Sequence, residues 1–135
     1  MARGLSDLQK HILTTAYQNS IREDLDNKSA RLDVYTSEIK HGFYQFPTKS
    51  KDLHRASAYG GHDFKLKGKS ADIPIDKYKS ASVAISKAFA SLQRRGLVTR
   101  WQGTNAKFSG IRLTEEGAKL AEILTVKTSQ DNSNG

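Results

Sequence analysis

The sequence predicts a small α+β fold, and three observations carry that expectation. Residues 79–124, KSASVAISKAFASLQRRGLVTRWQGTNAKFSGIRLTEEGAKLAEIL, pass from a Ser-rich amphipathic helix through a glycine into an apolar strand, then a polar loop, a second strand and a Thr-initiated helix. A second amphipathic pattern stands near the N-terminus, with a short β-prone pair, Val34-Tyr35, between the two. At 135 residues and 36% hydrophobic, the chain can bury one core and is too short for two ordinary domains.

The first helix opens on Ser6-Asp7-Leu8-Gln9, the S-x-x-Q form of a capping box, in which Ser6 and Gln9 satisfy two orphan amides. Leu5, Leu8, Ile12, Leu13 and Ala16 follow at helical spacing to about Asn19, and Ile21 extends the same stripe. Residues 22–33 are mostly polar, with Leu25 and Leu32 as anchors. After Val34-Tyr35, Thr36 or Ser37 is a candidate N-cap for a second helix from about Ser37 to Phe46, with Ile39, Phe43 and Phe46 facing inward. Pro47 ends it, because the residue before proline is driven out of the α region. Residues 47–78 read as a long basic connector, broken at Gly60-Gly61 and extended at Ile73-Pro74-Ile75. His54 and His62-Asp63 lack a third correctly spaced ligand, so they are read as surface histidines rather than a metal site.

The third helix, residues 80–95, is the best defined. Ala81, Ile85, Ala88, Phe89 and Leu92 make one stripe at the 3.6-residue period. Gly96 suits a left-handed C-terminal stop, and Arg94-Arg95 suit the negative end of the helix dipole. The opposite face carries Ser80, Ser82, Val83, Ser86, Lys87 and Ala90, with no acidic residue between Ala81 and Gln93. Small hydroxyl side chains let a helix sit deep in a major groove, where they meet base edges or phosphates. A helix buried on both faces also favours Ser and Ala, and that reading stays open here.

Leu97-Val98-Thr99-Arg100-Trp101 alternates as a half-buried strand, and Gly110-Ile111-Arg112-Leu113 is its expected partner. The loop 102–109 between them is long for a hairpin and carries Lys107 near its tip, with Arg100 and Arg112 on its flanks. Trp101 is read as a packing residue rather than a stacking platform, since single-strand binders show several interleaved aromatics. Thr114 caps a last helix with Glu115 and Glu116 in its first turn and Leu120, Ile123 and Leu124 on its apolar side. Residues 1–124 are thus expected as one domain with a basic insertion at 47–78, and residues 125–135 as a disordered tail.

Charge narrows the function classes. The net charge is +8, but residues 1–45 sum to zero, residues 46–112 hold fourteen basic side chains against four acidic, and residues 113–135 sum to −2. Clustered positive charge of this size is the footprint of a phosphate-binding surface, the bland alternative being a solvated face. The absence of cysteine excludes a disulfide scaffold, a Cys-zinc site and thiol catalysis. No paired carboxylates, Ser-His-Asp set or Gly-rich phosphate loop stands in a fitting context, so no enzymatic activity, cofactor or metal is expected. No apolar run reaches signal-peptide or bilayer length, and a cytoplasmic protein without membrane contact is expected.

The string of a helix ending LQRRGLV, a hairpin and then IRLTEEG resembles the C-terminal half of winged helix-turn-helix transcription regulators of the MarR and PadR type, over 46 of 135 residues. The resemblance implies a three-helix core, a β-hairpin wing and a C-terminal helix. It makes residues 80–95 the recognition helix and 102–109 the wing. It also implies sequence-specific binding of double-stranded DNA, transcriptional regulation, and a homodimer through the outer helices. The expected DNA contacts are Lys79, Ser80, Ser82, Val83, Ser86, Lys87 and Arg94 on the helix. Arg100, Asn105, Lys107 and Arg112 supply them in and around the wing. One departure stands out: family members join the second and recognition helices by a tight turn, whereas some thirty residues intervene here. The alternative is a winged helix whose same face docks a partner protein.

Overall fold

Ser6 and Gln9 start the first helix as their spacing predicts. In the computed structural model, which describes residues 4–22, 32–46, 54, 74–101 and 110–134, Gln9 N donates to Ser6 Oγ at 3.1 Å and Ser6 N donates to Gln9 Oε1 at 2.9 Å. Helix α1 then runs Asp7–Ser20 and buries Ile12, Leu13 and Ala16 completely. It stops one residue before Ile21, which is 57% exposed and does not continue the apolar stripe.

Strand β1 is the pair Val34–Tyr35, and α2 (Thr36–Gly42) follows at once. The N-cap is Tyr35, earlier than Thr36 or Ser37, and its N–H donates to Glu38 Oε2 at 2.7 Å. Helix α2 ends at Gly42, short of Phe46. The chain turns back instead, with Phe46 N donating to Lys40 O at 3.0 Å, so Phe46 is buried from outside the helix while Phe43 stays exposed.

Helix α3 spans Ile75–Arg94, five residues longer at its start than the expected Ser80. Pro74 is its N-cap in an extended conformation, and Asp76 sits in the first turn, where a carboxylate favours the helix dipole. The whole expected stripe, Ala81, Ile85, Ala88, Phe89 and Leu92, is the buried side. Gly96 takes φ +76°, a value that favours glycine, and stops the helix.

Strands β2 (Val98–Trp101) and β3 (Gly110–Leu113) pair antiparallel, and β1 pairs with β3, giving the sheet order β1-β3-β2. Thr114 N donates to Leu97 O, and Thr114 Oγ1 accepts from Gly117 N at 3.1 Å, which caps α4 (Glu115–Asn134). Gly117 presses against the Leu97 carbonyl so closely that a Cβ there would collide with backbone. Residues 125–134, expected as a disordered tail, are helical as the end of α4. Ile123 is 60% exposed and is not on the packed side of that helix, where Ala121 is fully buried instead.

Among the described residues the chain is α+β, with four helices and one three-stranded antiparallel sheet. Its core joins α1, β1, α2, α3, β2, β3 and α4 through residues such as Leu13, Val34, Ile39, Ile85, Phe89, Val98, Ile111 and Ala121. Each of the larger side chains contributes about 1.5–3 kcal/mol on burial, so the core fixes α3 firmly and leaves one side of it outward. No described helix is long and apolar enough to cross a membrane.

Candidate nucleic-acid interface

Packing one stripe of α3 into the core decides which side chains it offers to a partner. Lys79, Ser80, Val83, Lys87 and Arg94 are all exposed. At 100° per residue they fall on an arc of about 100°, opposite the buried stripe. Asp76 lies at the head of this arc, and from Lys77 to Thr114 the sequence has eight basic side chains and no acidic one. Ile75, Asp76, Lys77 and Gln93 are exposed on α3 as well, and beyond Asp76 the arc itself holds two lysines, an arginine, a serine and a valine.

Two other hydroxyls expected on this band are engaged by the protein. Ser82 is half-buried and its Oγ donates to Tyr78 O at 3.0 Å, one turn back along the helix. Ser86 Oγ accepts from Arg100 Nη2 at 2.8 Å. Arg100 stands beside the loop 102–109 in the chain, as expected, but its guanidinium is turned to α3. Strand alternation places it with Val98 and Ile111 on the inner side of the sheet, where its guanidinium lies 6.0 Å from the Phe89 ring centroid. Its Nε is buried and makes no hydrogen bond among the described residues. Arg100 is a brace between β2 and α3, and its period-2 relation to Val98 was the signal that could have placed it.

The outer side of the same strands carries Thr99, Trp101 and Arg112, all exposed, with Thr99 opposite Arg112 in register. Trp101 is 57% exposed, so the expectation that it packs is overturned. Asn105 and Lys107 lie outside the described residues, as do the whole loop 102–109, the connector lysines from Lys49 to Lys69, and the His62-Asp63 pair.

One buried polar cluster was not foreseen. Glu38, 8% exposed, accepts from Tyr35 N at 2.7 Å, from Asn19 Nδ2 at 2.8 Å and from His54 Nδ1 at 2.7 Å. His54 is 3% exposed, with its ring 5.6 Å from that of Tyr35, so it is a core histidine and not a surface one. Because an ionised carboxylate only accepts, the imidazole must hold its proton on Nδ1. The cluster fastens one point of the connector to α1, β1 and α2. Among the described residues no group of three or more His, Cys, Asp or Glu could hold a metal.

A second unforeseen feature adjoins the N-terminal half of α3. Lys40 is 7% exposed with Nζ 3.7 Å above the Tyr78 ring centroid, and burial pulls its pKa down to about 8. Phe46 also stacks on Tyr78, at 6.1 Å between centroids. An open groove of about 520 Å3 runs between Tyr44, Phe46 and the Asp76–Ala84 side of α3.

Compared with known proteins, the chain matches no family model, and neither a curated protein nor a solved structure matches it.

Proposed function

We propose that this chain is a winged helix-turn-helix that binds double-stranded DNA sequence-specifically, as a transcriptional regulator resembling the MarR and PadR type. The observation that carries the reading is the outer band of α3 beyond Asp76, where Lys79, Ser80, Val83, Lys87 and Arg94 lie on one arc with no further carboxylate. The order of elements supports it, since a first helix, short strand, second helix, third helix, hairpin and last helix with sheet order β1-β3-β2 suit that architecture. A helix about 10–12 Å wide fits the major groove, about 12 Å across. Lys87 and Ser80 then face base edges, the exposed Val83 suits a thymine methyl, and Lys79 and Arg94 reach phosphates at either end.

The Arg100–Ser86 hydrogen bond couples the hairpin to the reading helix, so the two would meet DNA as one rigid unit. A homodimer through the outer helices belongs to the same proposal. Helices α1 and α4 pack together, with Tyr17 OH donating to Glu122 Oε2 at 2.9 Å, and α4 leaves Ile123 and Val126 exposed three residues apart. The rival reading, a winged helix that docks a protein, is favoured by the exposed Ile75 and Val83 on α3.

Selection of bound sites from a random duplex pool tests the proposal. Lys87→Ala should change the selected sequence, whereas Arg112→Ala should weaken all duplexes alike. Failure to enrich any site, with the wild-type chain folded, would remove the proposal in favour of the protein-docking reading.

A further inference from the structure

The groove beside the N-terminal half of α3 has rings on one wall and small side chains on the other. Its ring wall is Tyr44 and Phe46, 5.9 Å apart between centroids and tilted by 34°. Gln45, between them, takes φ +61°, a left-handed conformation that a residue with a side chain keeps only where its surroundings enforce it. Phe46 supplies that enforcement. Its N donates to Lys40 O at 3.0 Å, its carbonyl accepts from His41 Nδ1 at 2.8 Å, and its ring stacks on Tyr78. The helix wall is Ser80 and Ala84, one and two turns after Asp76 on the same ridge, with the buried Ala81 beside them. These small residues leave a space of about 520 Å3, within the size range of small-molecule sites. Asp76 and Lys77 line the groove at the N-terminal end of the helix wall. Both are exposed, they are opposite in charge, and among the described residues neither is in an ion pair.

We propose that this groove binds a free aromatic amino acid, its ring between the Tyr44–Phe46 wall and the small side chains of α3, its ammonium paired with Asp76 and its carboxylate with Lys77. The site does not depend on the nucleic-acid reading, and Ser80 alone is common to the groove and the α3 band. Charge decides the head of the ligand. A carboxylate beside an ammonium matches a molecule that carries the opposite pair on one carbon, whereas a purely anionic or cationic ligand would set a like charge against Asp76 or Lys77. An aromatic residue inside a peptide carries neither charge, so the free molecule is the occupant. Shape decides the tail. Aromatic rings gain from offset or edge-to-face contact beyond the area they bury, so the Tyr44–Phe46 wall suits a flat ring better than a branched aliphatic chain.

The experiment is equilibrium dialysis of the full chain against labelled L-phenylalanine at neutral pH, with competitors. The proposal expects saturable binding. Three competitors should displace the label less well than unlabelled phenylalanine: 3-phenylpropionate, which lacks the ammonium, phenethylamine, which lacks the carboxylate, and L-leucine, which lacks the ring. Because Asp76 and Lys77 are exposed, each pairing should contribute about 2- to 5-fold in affinity. Asp76→Asn should weaken phenylalanine and phenethylamine by that factor and leave 3-phenylpropionate no weaker. Lys77→Met should weaken phenylalanine and 3-phenylpropionate and leave phenethylamine no weaker. Ala84→Trp fills the groove and should abolish binding, with Ser80→Trp, at a more exposed position, as the second block if the first unfolds the chain. No saturable binding overturns the proposal, and so does binding that survives the block in a folded variant. A singly charged analogue as tight as phenylalanine overturns the amino-acid assignment, and leucine as tight as phenylalanine overturns the aromatic one. None of these outcomes involves a nucleic acid, so the α3 reading stands or falls separately.

Discussion

Replacing Glu38 with alanine removes the acceptor of three hydrogen bonds at once. Tyr35 N, His54 Nδ1 and Asn19 Nδ2 all donate to its carboxylate at 2.7–2.8 Å. Glu38 and His54 are 8% and 3% exposed, so water cannot replace what is lost. Breaking a buried pair by deleting one partner costs about 3–5 kcal/mol, and each orphaned buried donor about 1–3 kcal/mol. These contributions overlap in one network and do not add. Asn19 also keeps a second acceptor, Asp33 O at 2.9 Å, which relieves part of the loss. The expected destabilisation of Glu38→Ala is therefore about 3–5 kcal/mol, a large share of the roughly 5–15 kcal/mol that holds an ordinary domain. His54→Ala leaves the carboxylate two of its three donors and should cost less. The assay is urea unfolding of both single variants and the double variant at neutral pH, followed by circular dichroism. A coupling energy of about 1–3 kcal/mol between the two sites is expected. A loss below about 1 kcal/mol in Glu38→Ala, or simple additivity in the cycle, would refute the buried network and with it the anchoring of the connector at His54.

Three further outcomes follow from the same geometry. Lys40 titrates near pH 8 when folded and near 10.5 when unfolded, so the unfolded chain binds more protons between those values and stability rises across that window. Relative to Lys40→Met, wild-type stability measured by urea unfolding should climb by on the order of 2 kcal/mol from pH 8 to 10; a flat difference would contradict the burial of that ammonium. Arg100→Ala should lower stability by about 1–2 kcal/mol through the lost Ser86 hydrogen bond and Phe89 contact. It should also weaken duplex binding without altering its salt dependence, and a slope reduced by a full unit would return Arg100 to the phosphate-contacting set. Ile123→Asp combined with Val126→Asp should abolish self-association in sedimentation velocity while leaving the monomer folded, and an unchanged dimer would move that interface elsewhere.

Much of the frame was legible because local signals and packing agree. The capping box at Ser6 and Gln9, the five-residue stripe of α3, the Gly96 stop, the extent of β3 and the Thr114 cap each depend on a few consecutive residues, and each stands where the pattern put it. The departures have tertiary causes. Arg100 and Trp101 differ in orientation because register, not composition, decides which side of a strand faces α3. Glu38 and His54 are 16 residues apart and meet only in the tertiary fold, so no spacing rule could pair them. Ile21 and Ile123 read as core because periodicity cannot say where a stripe runs out of neighbours. Residues 125–134 have no apolar stripe to reveal a helix, yet extending an existing helix costs far less than nucleating one. On the candidate face, Lys79, Ser80, Val83, Lys87 and Arg94 are exposed, whereas Ser82 and Ser86 are engaged within the protein.

The most direct test of the nucleic-acid reading is the salt dependence of duplex affinity. Lys79, Lys87 and Arg94 on the α3 band would displace about one counterion each. The slope of log K against log salt between about 50 and 200 mM should therefore be about −3 or steeper. No complex at the lowest salt, or a complex whose affinity hardly changes across that range, would contradict the account.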